Sequence, residues 1–507
     1  MPLLARIAAL TCLVLVCSAH VGSPDAWYEG AAGPYHVVVQ VATPSVVPGV
    51  ARVFARVTGV GVEEVTVQAN RFDALAASPP PEAAAPVDGD PGLYSAPLWI
   101  MSGGSNSVTV GVRGSLGEGK AVVPVVVVAS SRLELDPKLG ITLAAIGVFL
   151  FIGLVTIVGA AVRESVLTPG ESPDDRQRWK ARTAMAATAG VVAVALFGGS
   201  RWWNNEDTNF NRSIYKPFGS SAAVESLASG DVIHLRIADS TWMRRGDSAW
   251  LRKHGAPSWT PLIPDHGKLI HVFMIGEPDL AAFAHLHPAT NDSVSFTSSL
   301  PHLPPGTYRV YGDIVHESGF TQTLVSKVTL SRPTRESGRL TDPDDAAHIG
   351  APTLHSDSAV LEDGSVMRLE RPRKTFVVGR EAPLRFSVTG ADGRPVALEP
   401  YIGMAGHAVV ARDDGAVFVH LHPSGSISMA SQMAFQMRQS GDTIPGRLGE
   451  RIRVVEASHA RAPIDQRGVI SFPYAFPKPG RYHMWVQVKH AGSILTGAFA
   501  FDVKSVA

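Results

Sequence analysis

Residues 283–288 read FAHLHP, and residues 418–423 read FVHLHP. The match extends outward from these hexapeptides. His271 lies 14 residues before His285, and His407 lies 13 before His420. Downstream, Pro305-Gly306-Thr307-Tyr308 is answered by Pro479-Gly480-Arg481-Tyr482. His316 and His490 each follow their tyrosine by eight residues. Internal repetition defines the architectural unit. Here the unit carries histidines at four matched places: His271/His407, His285/His420, His287/His422 and His316/His490.

Short alternating apolar runs separated by Gly and Pro surround these motifs. In the first copy they are Val232–Ile237, Leu269–Ile275, Tyr308–Val315 and Thr323–Leu330. In the second they are Leu384–Val388, His407–Ala411, Val417–His420, Tyr482–Val488 and Ala498–Val503. Residues 35–130 show the same Val-rich alternation without the matched histidines. Period-two patterning of this kind predicts antiparallel sandwiches. The expected fold class is mainly β, with three immunoglobulin-like β-sandwich domains over 35–130, 223–332 and 357–505, plus two transmembrane helices. Polar residues 333–356 read as a linker. The second copy carries an insertion in which Met429, Met433 and Met437 recur every four residues, one face of a helix. Core packing is the expectation for that row, with a thioether surface as the alternative.

A chain of 507 residues suggests three or four domains. Lys and Arg number 45, as do Asp and Glu, so nucleic-acid binding has no electrostatic support. Residues 1–19 have the charged start, apolar run and small-residue end of a signal peptide. Both cysteines, Cys12 and Cys17, lie there, so the mature chain is expected to lack disulfides and thiolate metal sites. Leu139–Val162 is uncharged over 24 residues, and Thr183–Ser200 is a shorter apolar stretch followed by Trp202 and Trp203. Both read as membrane spans. Five basic residues between them, in Arg163–Arg182, place that loop in the cytoplasm by the positive-inside rule. Residues 20–138 and 201–507 are then expected outside the cell membrane.

Residues 35–130, and more loosely both histidine modules, resemble the YtkA-like and FixH-like extracytoplasmic β-sandwich domains. The features that carry the resemblance are the Pro-Gly-x-Tyr step, the Val-rich alternation, and Lys268–Phe273 followed by Phe283–Pro288. The resemblance implies an immunoglobulin-like fold outside the membrane. It also implies a link to copper handling or respiratory-oxidase assembly, with an envelope protein as partner.

The histidines suggest chemistry independently of that resemblance. Residues i and i+2 of a strand share a face. His285 and His287 can therefore converge on one ion, as can His420 and His422. His271 or His316 can complete the first set, and His407 or His490 the second. His266 can join the first site from a loop. Imidazole suits Cu(II), Zn(II), Fe and Ni, and the Irving–Williams order favours Cu(II). Copper is the expected metal, with zinc as the other candidate. Met404, beside His407, is a candidate thioether ligand, and Met274 and Met484 are further thioethers near the motifs. No glutamate follows the His-x-His pairs as a cupin site requires, and no serine elbow, P-loop or HExxH occurs. The expectation is a metal-binding protein and not an enzyme. The alternative is a metal-free envelope scaffold with structural histidines.

Overall fold

A computed structural model describes residues 25–73, 78–132, 135–168, 170–238, 261–336, 340–370, 375–442, 444, 446–459 and 467–505. The expected signal peptide lies outside the described residues. The chain forms two compact units, one over residues 129–215 and one from the remainder.

The smaller unit holds two helices, Pro137–Glu164 and Asp175–Ser213. Asp136 caps the first through the Lys138 and Leu139 amides, and Pro137 takes the first turn, where its missing N–H costs nothing. Asp174 and Gln177 form a capping box on the second. This cap starts the second helix eight residues before the expected apolar stretch, and the helix also runs past Trp202 and Trp203. The expected loop thus shortens to residues 165–174. Both helices are long and apolar enough to cross a membrane. They approach closely at Gly159, where a Cβ would meet Met185 Sδ at 2.6 Å. Small residues permit such close contact between helices.

The larger unit is mainly β, in pairs of sheets that share cores. In the N-terminal body a five-stranded sheet, including Tyr35–Ala42 and Gly49–Thr58, faces a four-stranded one, including Val62–Arg71 and Gly104–Gly114. Val37, Val39 and Val53 of the first meet Val65, Val108 and Val110 of the second in one core. Every second residue of Tyr35–Ala42 is buried, as alternation dictates.

Each histidine module pairs its sheets the same way. The first sets a three-stranded sheet over a six-stranded one built on Gly306–His316, His271–Glu277 and Ala282–Leu286. The second sets a four-stranded sheet over a five-stranded one built on Gly480–His490, His407–Arg412 and Phe418–Leu421. Part of the segment expected as a linker instead joins the first module's sheet. Ala346–Ile349 pairs with Ala282–Leu286, covering the edge of the strand that carries the histidine motif.

The histidine-bearing sheets of the two modules face each other. Phe283 of the first stacks on Trp485 of the second at 4.9 Å, and Phe418 of the second stacks on Tyr311 of the first at 4.0 Å. Phe283 and Phe418 hold the same place in the repeat. So do Tyr311 and Trp485, which pair with Phe273 and Val409. The contact is therefore self-complementary, as in a two-fold dimer, although one chain supplies both halves.

The insertion folds as two helices, Met429–Gln439 and Leu448–His459. Met433 is buried with Phe435 and Ile452 against Phe72 and Val122 of the N-terminal body and Ile263 and Val315 of the first module. Met429 and Met437 pack against the same cluster. The methionine row is a core face.

Candidate metal centre

Strand alternation decides which side chains reach the module interface. In the first module His271, Phe273 and Ile275 face it, while Val272 and Met274 turn into the module's own core. His285 continues the interface face of Phe283, and His287 follows two residues later. The second module repeats this. Val409 and Ala411 face the interface, while Ala408, Val410 and Met484 face inward. Met274 and Met484 are thus core residues and not ligands.

Six of the eight matched histidines meet at this interface. His271, His285 and His287 each bring one nitrogen within 4.8 Å of the others, and so do His407, His420 and His422. All six rings are buried. The same atoms face inward in both triads. His271 Nδ1 lies 3.2 Å from His285 Nε2, and His407 Nδ1 lies 3.0 Å from His420 Nε2.

The outer nitrogens fix the tautomers in the first triad. His271 Nε2 faces the Asp265 carbonyl at 3.2 Å, His285 Nδ1 faces Gln487 Oε1 at 2.8 Å, and His287 Nδ1 faces Asp345 Oδ1 at 3.0 Å. Gln487 Nε2 donates to Thr496 Oγ1 at 3.3 Å, with Oε1 toward the ring. With the outer nitrogens donating to these oxygens, the inner ones present their lone pairs to one another. Three lone pairs converge with no proton among them, and His287 Nε2 is buried without a hydrogen-bond partner. That arrangement suits a cation held between the rings. Outer acceptors of this kind orient metal-binding imidazoles.

In the second triad His422 Nδ1 faces the Ile427 carbonyl at 3.1 Å, and His420 Nδ1 lies 3.7 Å from Asp313 Oδ2. The Nε2 atoms of His407 and His422 are buried and unpartnered. The loop carrying Ile427 is held by the N-terminal body. Glu29 N–H donates to the Ser424 carbonyl at 2.8 Å, and Ser426 N–H donates to that of Trp27 at 3.0 Å.

Burial pushes the rings toward their neutral form. Desolvation lowers His271 and His266 to about 4. It also places His285, His287, His407 and His420 well below the usual value, with neighbouring rings adding to the effect. Neutral imidazole is the ligating form. Burial likewise pushes the Asp345 and Asp313 carboxyls up to about 7.

The remaining expectations fare differently. His316 lies on the opposite strand face from Asp313, against Phe218 and Phe320, with Gln322 Nε2 at 2.9 Å. His490 is at the end of its strand, where Nδ1 faces the Ala397 carbonyl at 2.9 Å. Neither joins a triad, because an offset of three from Asp313 or Gln487 changes the strand face. Met404 is half-buried in a turn, at the place Lys268 holds in the first copy.

His266 reaches the second triad rather than the first. Its ring lies 5.0 Å from His422 and 5.4 Å from His407, between centroids. It sits at φ +53 and Gly267 at φ +79, in a turn closed by Asp265 and Lys268. Two successive left-handed residues make glycine the natural second member. The insertion grips this turn. Glu456 accepts the His266 and Gly267 amides at 2.7 and 2.9 Å, and Asp265 Oδ1 accepts the Ala430 amide at 2.9 Å.

Residues 359–505, the second module, match a family described only as a domain of unknown function, DUF8832. No curated protein matches the chain. Among solved structures it is similar to a 1.5-MDa bacterial ice-binding adhesin at 8% identity, over 90% of this chain and 92% of that one, with a TM-score of 0.14. It is also similar to latent PorU from Porphyromonas gingivalis at 10% identity, over 95% of this chain and 34% of that one, with a TM-score of 0.15. The native E. coli alpha-2-macroglobulin matches at 9% identity, over 95% of this chain and 22% of that one, with a TM-score of 0.17. TM-scores this low support no conclusion about shared architecture or activity.

Proposed function

We propose that the chain is a membrane-anchored, extracytoplasmic metal-binding protein that holds copper between two repeated modules and serves copper homeostasis or transfer. The observation that carries this reading is the first triad, where three imidazole lone pairs converge and every outer nitrogen has an acceptor. An all-imidazole set suits copper and zinc, and the Irving–Williams order favours Cu(II). The two apolar helices, with Arg163 at the end of the first and Arg176, Arg178, Lys180 and Arg182 at the start of the second, support a cell-membrane location with the modules outside.

The β bodies are read as immunoglobulin-like sandwiches of the YtkA-like and FixH-like kind. Tyr308 and Tyr482 support this, since each hydroxyl donates to the carbonyl four residues upstream at 2.8 Å. That is the tyrosine corner of such folds. The implied partner is an envelope protein, such as one engaged in oxidase assembly.

The test is metal uptake by the full chain. Purified in detergent without a histidine tag and stripped by chelator, it should take up Cu(II) and retain it through gel filtration. A folded chain that takes up no Cu(II), Cu(I) or Zn(II) overturns the reading and favours a metal-free scaffold.

A further inference from the structure

We infer that the interface holds two ions side by side, one per triad, and that the Asp265–His266 turn of the first module belongs to the second ion. This deepens the metal-binding reading and rests on it.

The six rings do not converge on one point. Their inner nitrogens fall into two separate groups of three, each closed within 4.8 Å. A six-coordinate ion would place every ring of one triad beside rings of the other. Instead the cross-triad approaches run through His271, His285, His407 and His420, at 5.2 Å for His271–His420, 5.7 Å for His285–His420 and 6.4 Å for His285–His407. Within the triads the rings are 4.5–5.5 Å apart. Only His271–His420 comes as close across the triads as rings do within them, so the grouping points to two adjacent ions rather than one ion shared by all six rings.

The two positions are chemically unequal. Asp265, His266 and His422 form a further group of donors within 4.8 Å. His266 Nε2 is buried with no hydrogen-bond partner, as is His422 Nε2. The matching turn of the second copy is Tyr401-Ile402-Gly403-Met404, with Ile402 at φ +50 and Gly403 at φ +75. The backbone is the same, but Ile402 brings no donor where His266 brings one. Tyr401 keeps a polar contact, 3.3 Å from His285 Nδ1, on the outer side of the first triad. The second ion can therefore draw on four imidazoles and a carboxylate, and the first on three imidazoles. A β-branched residue at positive φ is strained. The repeat thus holds the turn shape in both copies while the ligand survives in one.

The experiment uses the full chain in detergent, with Co(II) and Cu(II) as probes. Wild type should show a Co(II) breakpoint at two equivalents, and the doubly Cu(II)-loaded chain should show an EPR spectrum broadened by its neighbouring spins. His285→Asn/His287→Asn and His420→Asn/His422→Asn should each retain one equivalent with an unbroadened Cu(II) spectrum. His266→Asn should weaken the tighter step at least tenfold and leave the other unchanged. Circular dichroism identifies any double variant that fails to fold, and the wild-type breakpoint does not depend on the variants. A single equivalent in wild type, lost in either double variant, overturns the two-ion centre while leaving metal binding intact. Two equivalents with no magnetic interaction also overturn it. No uptake at all defeats the metal-binding reading itself.

Discussion

Asp313 and Gln487 hold the same place in the repeat, opposite His271 and His407, yet each serves a histidine of the other module. Gln487 Oε1 lies 2.8 Å from His285 Nδ1, and Asp313 Oδ2 lies 3.7 Å from His420 Nδ1. The first triad is thus hydrogen-bonded from across the interface, and the second is approached by a carboxyl from across it. Replacing Gln487 with Met keeps the length and removes the acceptor. Affinity at the first triad should fall about 10–100-fold, the usual effect of losing such a partner. Competition titration against a chromophoric chelator measures this, and unchanged affinity would show that Gln487 has no orienting role.

The same exchange makes the modules interdependent. If each module held its own ion unaided, residues 223–332 and 357–505 would each bind one equivalent when expressed separately. The structure predicts otherwise. A separate first module loses Gln487, and also Asp345, which lies beyond residue 332. A separate second module loses Asp313 and His266. Each fragment should bind at least tenfold more weakly than the full chain. Native-like affinity in either fragment would contradict a composite centre.

Trp485 is fully buried and stacks on Phe283 at an interplanar angle of 8°. Trp485→Ala removes one side of the module interface and should cost about 3–5 kcal/mol. Denaturant unfolding reads the loss. Metal affinity should fall at both triads, since their relative placement depends on this contact.

Acid should act through the rings. An unfolded histidine takes up a proton near pH 6.5, whereas folded His266 and His271 resist to about 4. Below pH 6.5 the unfolded chain binds more protons, so stability of the metal-free protein should fall as pH drops from about 6.5 to about 4. Asp313, Asp345 and Glu456, pushed up to about 7, act in the opposite sense. Their contribution is full at low pH and is lost as pH rises through 7. Seven lowered rings outnumber these carboxyls, so the net slope keeps its sign. Metal should be retained on dialysis at pH 5.5 and released near pH 4. Half-release at pH 6.5, as for exposed histidines, would contradict burial of the centre.

Much of this was legible in the residues. The repeat and its alternation point to paired sheets, and the His-x-His pairs with His271 and His407 point to the triads. His316 and His490 could have been set aside by parity, since they lie an odd number of residues from Asp313 and Gln487. The Asp265–His266 turn was visible as PDHG aligned with PYIG, but its destination was not. Which module a turn reaches depends on how the two sheets pack face to face, a long-range relation that local pattern does not encode. Asp345 was hidden for a similar reason. Its surroundings are polar because they bond to His287 and to one another, not because they are solvated.

The most direct test is X-ray absorption spectroscopy of the full chain loaded with Zn(II). The account predicts a first shell dominated by imidazole nitrogen at about 2.0–2.1 Å, with the outer-ring scattering of several histidines, lost when both His-x-His pairs are replaced. An oxygen shell without imidazole scattering, or the same spectrum after those replacements, would contradict it.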